Sequence, residues 1–559
     1  KIRLENVMSA AVEFPDMDYE MIHLSGAWAR ERYVKTRKLE MGTQAVQSLA
    51  GTGSSSEQNP FIALKRPHTT EDTGEVFGFS LVYSGNFVAA AQKDQKNQTR
   101  FQMGIHPTNF CFHLEKGEAF DTPQAILSYS GTGLTKLSQQ YHEIIREHIC
   151  RGAYKHAKRP ILINNWEATY FDFNEEKILK IAEQAQKLGI EMLVLDDGWF
   201  GKREDDNSGL GDWFVNEKKM NGSMAQLAEK IHRMGMKFGL WFEPEMISED
   251  SDLYRAHPDW AFAIPGRVPN HSRNQLVLDM TREDVREYLL ERLTTIVHDA
   301  KIDYVKWDMN RSVCDVYSHV AAQNRNGELY HRYVLGVYDL LERFLAACPD
   351  LLLEGCSGGG GRYDAGMMYY SPQIWCSDNT DAINRLSIQY GSSFFYPIST
   401  VGSHVSVCPN HQTGRVTPFR TRGDVALAGS FGYEMDLNKI SEEEKEMVKE
   451  QVAAMHEYYE LTHEGLYYRL TGLKKQDFMA WEFVAKDQSR ALLTIVKTDA
   501  EGNMLPVHTK VCGLAEDKLY RCSLDQEVRL GRTWNRAGLT LHQVLEEYES
   551  IRVEFTEVK

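Results

Sequence analysis

Positions 304–310 read Tyr-Val-Lys-Trp-Asp-Met-Asn, an apolar entry that ends in two charged side chains around Trp307. On a strand alternate side chains share a face, so Lys306 and Asp308 are expected to point the same way. A lysine two positions from an aspartate favours the ionised carboxylate and lowers its pKa. Such a carboxylate at the end of a buried strand could be a nucleophile or a ligand. The plainer alternative is a structural Lys–Asp pair, and this stretch alone leaves both open. Asp378, in Trp-Cys-Ser-Asp-Asn, has no cation beside it on its own face. Its pKa is expected to be the higher of the two, as a general acid requires. Carboxylates whose pKa values are pushed apart are what glycosidic bond cleavage uses. A separation of about 5–5.5 Å gives retention and a wider one inversion.

These residues need elements to hold them. From position 160 short apolar runs alternate with helical patterns. Strands are expected over 160–166, 192–196, 237–245, 304–310, 351–358, 374–378, 397–407 and 427–435. Helical patterns run over 175–188 and 224–234, closed by Gly189 and Gly235, then over 283–300, 330–347, 382–389 and 442–461. Between them, 362–370 is read as a further connection of this kind. A Ser441/Glu444 capping box opens the last helix. This alternation predicts a (β/α)8 TIM barrel over 151–465. A doubly wound open sheet competes, but no Gly-x-Gly-x-x-Gly follows a first strand. Before the barrel, segments such as 75–82 and 86–91 are short, β-rich and broken by Gly, Ser and Asn, with a polar loop at 52–59. They predict an antiparallel β-sandwich, joined by a helix over 134–150, as a first domain over 1–150. After 466 the helical pattern stops, and strands at 478–484, 491–497, 519–523 and 551–558 predict a C-terminal antiparallel β domain over 466–559.

Active sites of such barrels sit at the C-terminal ends of the strands. Asp196/Asp197, Glu243/Glu245, Asp308, Glu354 and Asp378 all end predicted strands. One acidic strand end is ordinary loop chemistry, but this set points to a site. Trp166, Trp199, Trp241, Trp307 and Trp375 gather at the same ends, where packing is the plainer reading. Carboxylates accept hydrogen bonds from hydroxyls and indoles cover C–H faces, a combination that suits a sugar. A phosphate substrate fits poorly, because only Lys306, with Arg273, Arg311 or Arg385, could neutralise it. The run 355–361, Gly-Cys-Ser-Gly-Gly-Gly-Gly, lacks the Lys-Ser/Thr of a phosphate loop and would let backbone approach a ligand. Cys356 is either a site wall or a small buried residue, and no His partner makes it a thiolate nucleophile. His404 and His411 are placed in a loop after the seventh strand, without zinc spacing. A carboxylate-bound Mg²⁺ stays open as an alternative.

The 559 residues carry a net charge of −16, a pI of about 5.7, 42% hydrophobic and 25% charged residues. That suits two to four globular domains and argues against a nucleic-acid or anionic-membrane surface. No apolar run approaches the roughly 18 residues of a membrane span. The nine cysteines form no CxxC pair, so a reducing, cytoplasmic compartment is expected. The chain starts at Lys1, and its natural N-terminus is expected to be missing.

The chain resembles the glycoside hydrolase family 36 α-galactosidases, the bacterial raffinose- and melibiose-degrading type. The resemblance runs through Leu-Asp-Asp-Gly-Trp-Phe at 195–200, Leu-Trp-Phe-Glu-Pro-Glu at 240–245, Lys-Trp-Asp-Met-Asn-Arg at 306–311, Glu-Gly-Cys-Ser-Gly-Gly-Gly-Gly-Arg at 354–362 and Trp-Cys-Ser-Asp-Asn-Thr-Asp at 375–381. These are long motifs in the family's order. The resemblance implies Asp308 as nucleophile and Asp378 as acid/base of a retaining reaction without metal or cofactor. It implies that Asp196 and Asp197 bind the galactose O4 and O6 hydroxyls, and that Lys306, Trp166, Trp241, Arg273, Cys356 and Gly358 line the same subsite. It implies an oligosaccharide substrate with terminal α-galactose and a homo-oligomer, often a tetramer. Family members carry a larger N-terminal β-supersandwich, so part of that domain is expected to lie outside this chain.

Other readings make different demands. A raffinose-synthase-like galactosyl transferase would favour transfer over hydrolysis. An α-N-acetylgalactosaminidase would need room beside C2, near Cys356 and Gly358. A Mg²⁺-dependent isomerase or lyase would be inactivated by chelator. A sugar-binding protein without chemistry would have no use for two opposed carboxylates.

Overall fold

The computed structural model describes residues 1–53, 55–472, 477–500 and 502–558. Its centre is a closed barrel of parallel strands. In chain order these are β1 (Leu162–Asn164), β2 (Met192–Leu195), β3 (Lys237–Phe242), β4 (Tyr304–Trp307), β5 (Leu352–Gly355), β6 (Gln373–Trp375), β7 (Val401–Ser406) and β8 (Ser430–Glu434). β8 closes onto β1 through Leu162↔Gly432 and Ile163↔Tyr433. All eight expected strands are present in the expected order.

Period-two alternation sorts the strand side chains. Leu162, Met192, Val194, Tyr304 and Leu352 form a small apolar cluster within the barrel. Their neighbours Ile163, Leu193, Leu195, Val305, Trp307 and Leu353 belong to the large core shared with the surrounding helices. On β4 this alternation puts Lys306 and Asp308 on the lumen side, in step with Tyr304. The N-terminal ends are thus plugged by apolar groups, and the polar groups collect at the C-terminal ends, as the barrel architecture requires.

The connecting helices follow their sequence signals. Glu175–Lys187 is opened by the Asn174 side chain accepting from the Lys177 N–H, and Met224–Arg233 and Glu442–Glu464 both begin with capping boxes. The linking helix Leu134–Ile144 continues as a π-helix, Ile145–Ile149. A helix without strong amphipathic signal, Phe419–Ala426, lies between β7 and β8. It is almost wholly buried, so its pattern lacks a polar face.

Among the described residues three antiparallel sheets precede the barrel, one of five strands, one of four and a small pair formed by Ile2–Leu4 and Phe112–Leu114. In the strand Gln58–Lys65, Ile62 and Leu64 face the four-stranded sheet, while Phe61 and Ala63 face the barrel core. The five-stranded sheet is therefore buried on both faces and welded to the barrel. Its strands Glu20–Ala27 and Arg30–Lys38 meet in a tight turn at Trp28-Ala29, with Ala29 at φ 64°. The 52–59 loop expectation includes Ser54, which lies outside the described residues; Gln58 and Asn59 already belong to a strand. After the barrel a six-stranded sheet starts at Leu466 and is strictly antiparallel. It also carries a helix, Gly531–Ala537, that the sequence reading did not anticipate.

Candidate active site

The barrel mouth opens on a pocket lined by Trp166, Asp196, Asp197, Trp241, Arg273, Lys306, Asp308 and Asp378, with Glu167, Asn310, Trp375, His411, Gln412 and Glu434 completing the wall. Asp308 follows β4 and is 6% exposed. Each of its oxygens is held twice. Oδ2 accepts from Trp241 Nε1 at 3.0 Å and Asn310 Nδ2 at 2.9 Å. Oδ1 accepts from the backbone N–H groups of Met309 and Gly358, both at 2.9 Å. Burial by itself would push this carboxyl up. The positive charge of Lys306, with hydrogen bonds from Gly358, Asn310 and the Cys356 thiol, outweighs burial and holds it below the usual aspartate value.

The direct partner of Lys306 is not Asp308, as its place on the strand suggested, but Asp196, at Nζ–Oδ2 2.9 Å. Asn164 Nδ2 donates to the same oxygen at 2.6 Å. Asp197 is clamped by Arg203, with Nη2–Oδ2 at 2.8 Å and Nε–Oδ1 at 3.0 Å. Arg203 was missed because it sits in a polar loop that reads as solvent-facing, yet it is 1% exposed.

Asp378 follows β6 and is half-buried. Trp375 Nε1 donates to Oδ1 at 3.1 Å. Trp28 Nε1, from the turn of the N-terminal sheet, donates to Oδ2 at 2.9 Å. Burial, then repulsion from Asp308, raises this carboxyl above its ordinary value, against the pull of Trp28, Lys306 and Arg273. The two carboxyls are thus shifted in opposite directions, as expected from sequence.

Between them runs 357–360, in which Ser357, Gly358, Gly359 and Gly360 all have positive φ, from 61° to 79°. Glycine is required at 359, where a Cβ would stand 2.4 Å from the Asp378 nitrogen and 2.9 Å from its Cγ. Cys356 is 2% exposed and its thiol is pushed well up by burial, so it stays protonated beside Asp308.

The other acidic strand ends do different work. Glu243 accepts from the Asn310 N–H at 2.5 Å, Asn310 Nδ2 at 2.9 Å and Gln275 Nε2 at 2.5 Å. It fixes the asparagine that holds Asp308, and burial followed by repulsion from Asp308 raises it to about 7. Glu245 is consumed by Arg362 at 2.6 and 3.0 Å, Trp307 Nε1 at 2.9 Å and the Tyr333 hydroxyl at 2.8 Å. Glu354 accepts from Gln373 Nε2 at 2.6 Å, deep in the barrel. Trp199 and Trp307 likewise pack away from the pocket, the former donating to the Trp241 carbonyl at 2.9 Å. Arg311 and Arg385 are spent on backbone carbonyls. His404 lies within β7, not in the loop after it, with its ring 4.4 Å from that of Trp375. His411 does sit in that loop and pairs with Glu167 at 3.4 Å. Among the described residues no group of three or more His, Cys, Asp or Glu side chains is placed to hold a metal ion, and no helix is long and apolar enough to cross a membrane.

Three family models match in series: the glycosyl hydrolase family 36 N-terminal domain over 1–115, melibiase over 119–465 and the family 36 C-terminal domain over 478–555. Among curated proteins, the bifunctional alpha-galactosidase/sucrose kinase AgaSK of Mediterraneibacter gnavus is 51% identical over the whole chain, which spans 59% of that protein's length. Alpha-galactosidase AgaA of Geobacillus stearothermophilus is 49% identical over 93% of this chain and 71% of its own length. Alpha-galactosidase Mel36A of Lactobacillus acidophilus gives the same figures. The crystal structure of AgaA superposes on all of this chain and 77% of its own, with a TM-score of 0.98 at 47% identity. Variants of AgaA have been solved in complex with raffinose and with stachyose.

Proposed function

This chain belongs to glycosyl hydrolase family 36, and from that premise we propose that it is a retaining α-galactosidase acting on raffinose-type oligosaccharides or melibiose. The observation that carries the reading is the opposed electrostatics of Asp308 and Asp378 across one pocket. Its relative AgaA, solved with raffinose and with stachyose, supports the substrate class.

In this reading Asp308 is ionised and attacks the anomeric carbon. Asp378 carries a proton and passes it to the glycosidic oxygen as the C1–O bond breaks. The product is a β-galactosyl ester of Asp308, and the leaving sugar departs neutral. The ester carries no charge, so the repulsion that raised Asp378 disappears. Asp378, ionised since it gave its proton to the leaving sugar, then draws a proton from water as the water oxygen attacks C1. The ester bond to Asp308 breaks, the Asp308 carboxylate is restored, and α-galactose leaves with Asp378 protonated again. Asp196, Asp197 and Lys306 meet the sugar hydroxyls, and Trp166 and Trp241 cover its apolar edge. Arg273 reaches the pocket from a turn in which it and Asn274 have φ of 52° and 59°. Cys356 and Gly358 act through Asp308, which they both hydrogen-bond. The same reading includes a homotetramer, as the resemblance implies, and a cytoplasmic location, as the cysteine usage suggests, to be checked by light scattering of the purified chain and by cell fractionation.

The test is hydrolysis of an aryl α-galactoside and of raffinose by the parent and by Asp308→Ala, with and without EDTA. Rapid release that chelator leaves intact and the variant loses, with azide restoring turnover as a β-galactosyl azide, is the expected result. An inactive parent, or a variant as active as the parent, refutes it.

A further inference from the structure

The residues that line the pocket all come from the barrel, but one of them, Asp378, is also held from outside it. Trp28 comes from the N-terminal sheet, 350 positions before the carboxylate it touches. Its indole N–H is a donor only, and it spends that donor on Asp378 Oδ2 at 2.9 Å. The turn that carries it is fastened to the segment that carries Asp378. Asn379 Nδ2 donates to the Ala29 carbonyl at 2.9 Å. Arg32, fully buried, donates to the carbonyls of Gly360, at 3.0 Å, and Cys376, and to Ser392 Oγ at 2.9 Å. Gly391 leaves no room for a Cβ, which would stand 1.9 Å from the Arg32 carbonyl. Gly26 is equally constrained by the Arg30 carbonyl at 2.1 Å. Such tight fastening would be superfluous for a surface hairpin with nothing to place. The indole itself stays 60% exposed, so it adds little to the core.

We propose that Trp28 is a positioning residue for the acid/base, so that the N-terminal β domain orients the Asp378 carboxyl for proton transfer to the leaving sugar. This rests on the reading of Asp378 as that acid/base. With Trp375 on Oδ1 and Trp28 on Oδ2, each oxygen has one fixed indole donor. The carboxyl plane is set, and the remaining lone pairs face the pocket. The groups that also face Asp378 are Asp308, Lys306 and Cys356 from the barrel, Arg273 from its turn and His411 from the loop after β7. From the hairpin itself, Glu31 lies buried beneath, accepting from the Ala29 N–H at 2.6 Å. Of these neighbours only Trp28 and Trp375 donate to the carboxyl from an uncharged ring. Removing the Trp28 donor leaves the charges in place and takes away a bond that favours the ionised form.

The experiment is Trp28→Phe in the full chain, assayed over pH on raffinose and on an aryl α-galactoside with an acidic leaving group. The sucrose of raffinose departs poorly without a proton, and the aryl group does not need one. The expected result is a kcat/KM for raffinose lower by about 10- to 100-fold, against less than about 3-fold for the aryl substrate. The alkaline limb for raffinose should move up by about half a pH unit or more. Equal losses on both substrates, or a limb that stays in place, overturn the assignment of Trp28. A parent that cleaves neither substrate overturns the underlying reading of the site instead.

Discussion

The ends of β4 and β6 carry the two opposed carboxyls and hold them in different ways. Asp308 is 6% exposed and receives four N–H donors and the Cys356 thiol, all from the barrel and its own loops. Asp378 is half-buried and receives two, one of them from another domain. Several fixed donors and a nearby ammonium overcome burial at the first site, whereas two donors do not at the second. Neighbouring charge decides the direction of each shift, attraction by Lys306 at Asp308 and repulsion by Asp308 at Asp378, with the donors adding to it. In the proposed mechanism, the group that stays ionised is the one enclosed by its own domain, and the group that gains and loses a proton is the one with fewer bonds and more access.

The strongest break in this contrast is to remove each carboxylate in turn. Asp308→Asn should reduce kcat on any galactoside by about 10⁴-fold or more. Asp378→Asn should reduce raffinose turnover by about 10³-fold but leave the first step on an activated aryl galactoside much less affected, seen as a burst of aryl release. Equal, burst-free losses would mean that the roles are not divided.

Lys306→Gln attacks the ionised side. It strands Asp196, a loss of about 3–5 kcal/mol for a broken buried pair. It also withdraws the charge that lowers Asp308, so the acid limb of kcat/KM should move to higher pH. The sign also runs through stability. A carboxyl lowered on folding stabilises above its unfolded pKa and loses that contribution as pH falls through the folded value, so Lys306→Gln should flatten the acid side of the melting profile.

Gly359→Ala attacks the space between the two. Its Cβ would collide with Asp378, and φ is 78°. A loss of about 1–3 kcal/mol in stability is expected, with a larger fall in raffinose turnover than in galactose binding. Calorimetry and a KM-against-kcat comparison measure both.

The smallest effect sharpens the contrast from outside the site. Glu482, in the C-terminal domain, is fully buried, has the Cys512 N–H as partner at 2.8 Å and is raised by burial to about 8. A carboxyl raised on folding favours the folded state below its unfolded pKa, and stability drops as pH climbs towards the folded value. Glu482→Gln should therefore raise Tm at pH 8, by about 1–3 kcal/mol in stability, and much less at pH 5, without touching activity.

Much of this was legible in the sequence, because period two and period 3.6 are written locally. The eight strands, the capping box at Ser441, and the carboxylates at 196, 197, 308 and 378 all follow from short windows. What failed was whatever depends on distant partners. Glu245 and Glu354 look like Asp308 in sequence, since a carboxylate after an apolar run reads the same whether it meets a substrate or Arg362. Lys306 was read against its strand neighbour, while its partner Asp196 lies at the end of β2, two strands away in the barrel. Trp28 gave no signal except an aromatic at a turn. The helix Phe419–Ala426 escaped because burial on every side erases amphipathic contrast.

The left-handed run 357–360 has a consequence for the two carboxyls. One residue of it donates its N–H to Asp308, and the next lies with its Cα against Asp378. Neighbouring Cα atoms in a trans chain stand about 3.8 Å apart whatever the temperature or solvent. The Gly358 contact to Asp308 and the Gly359 contact to Asp378 are therefore held in register by a covalent link, so that in the proposed mechanism a shift of this run would move both carboxyls' supports together.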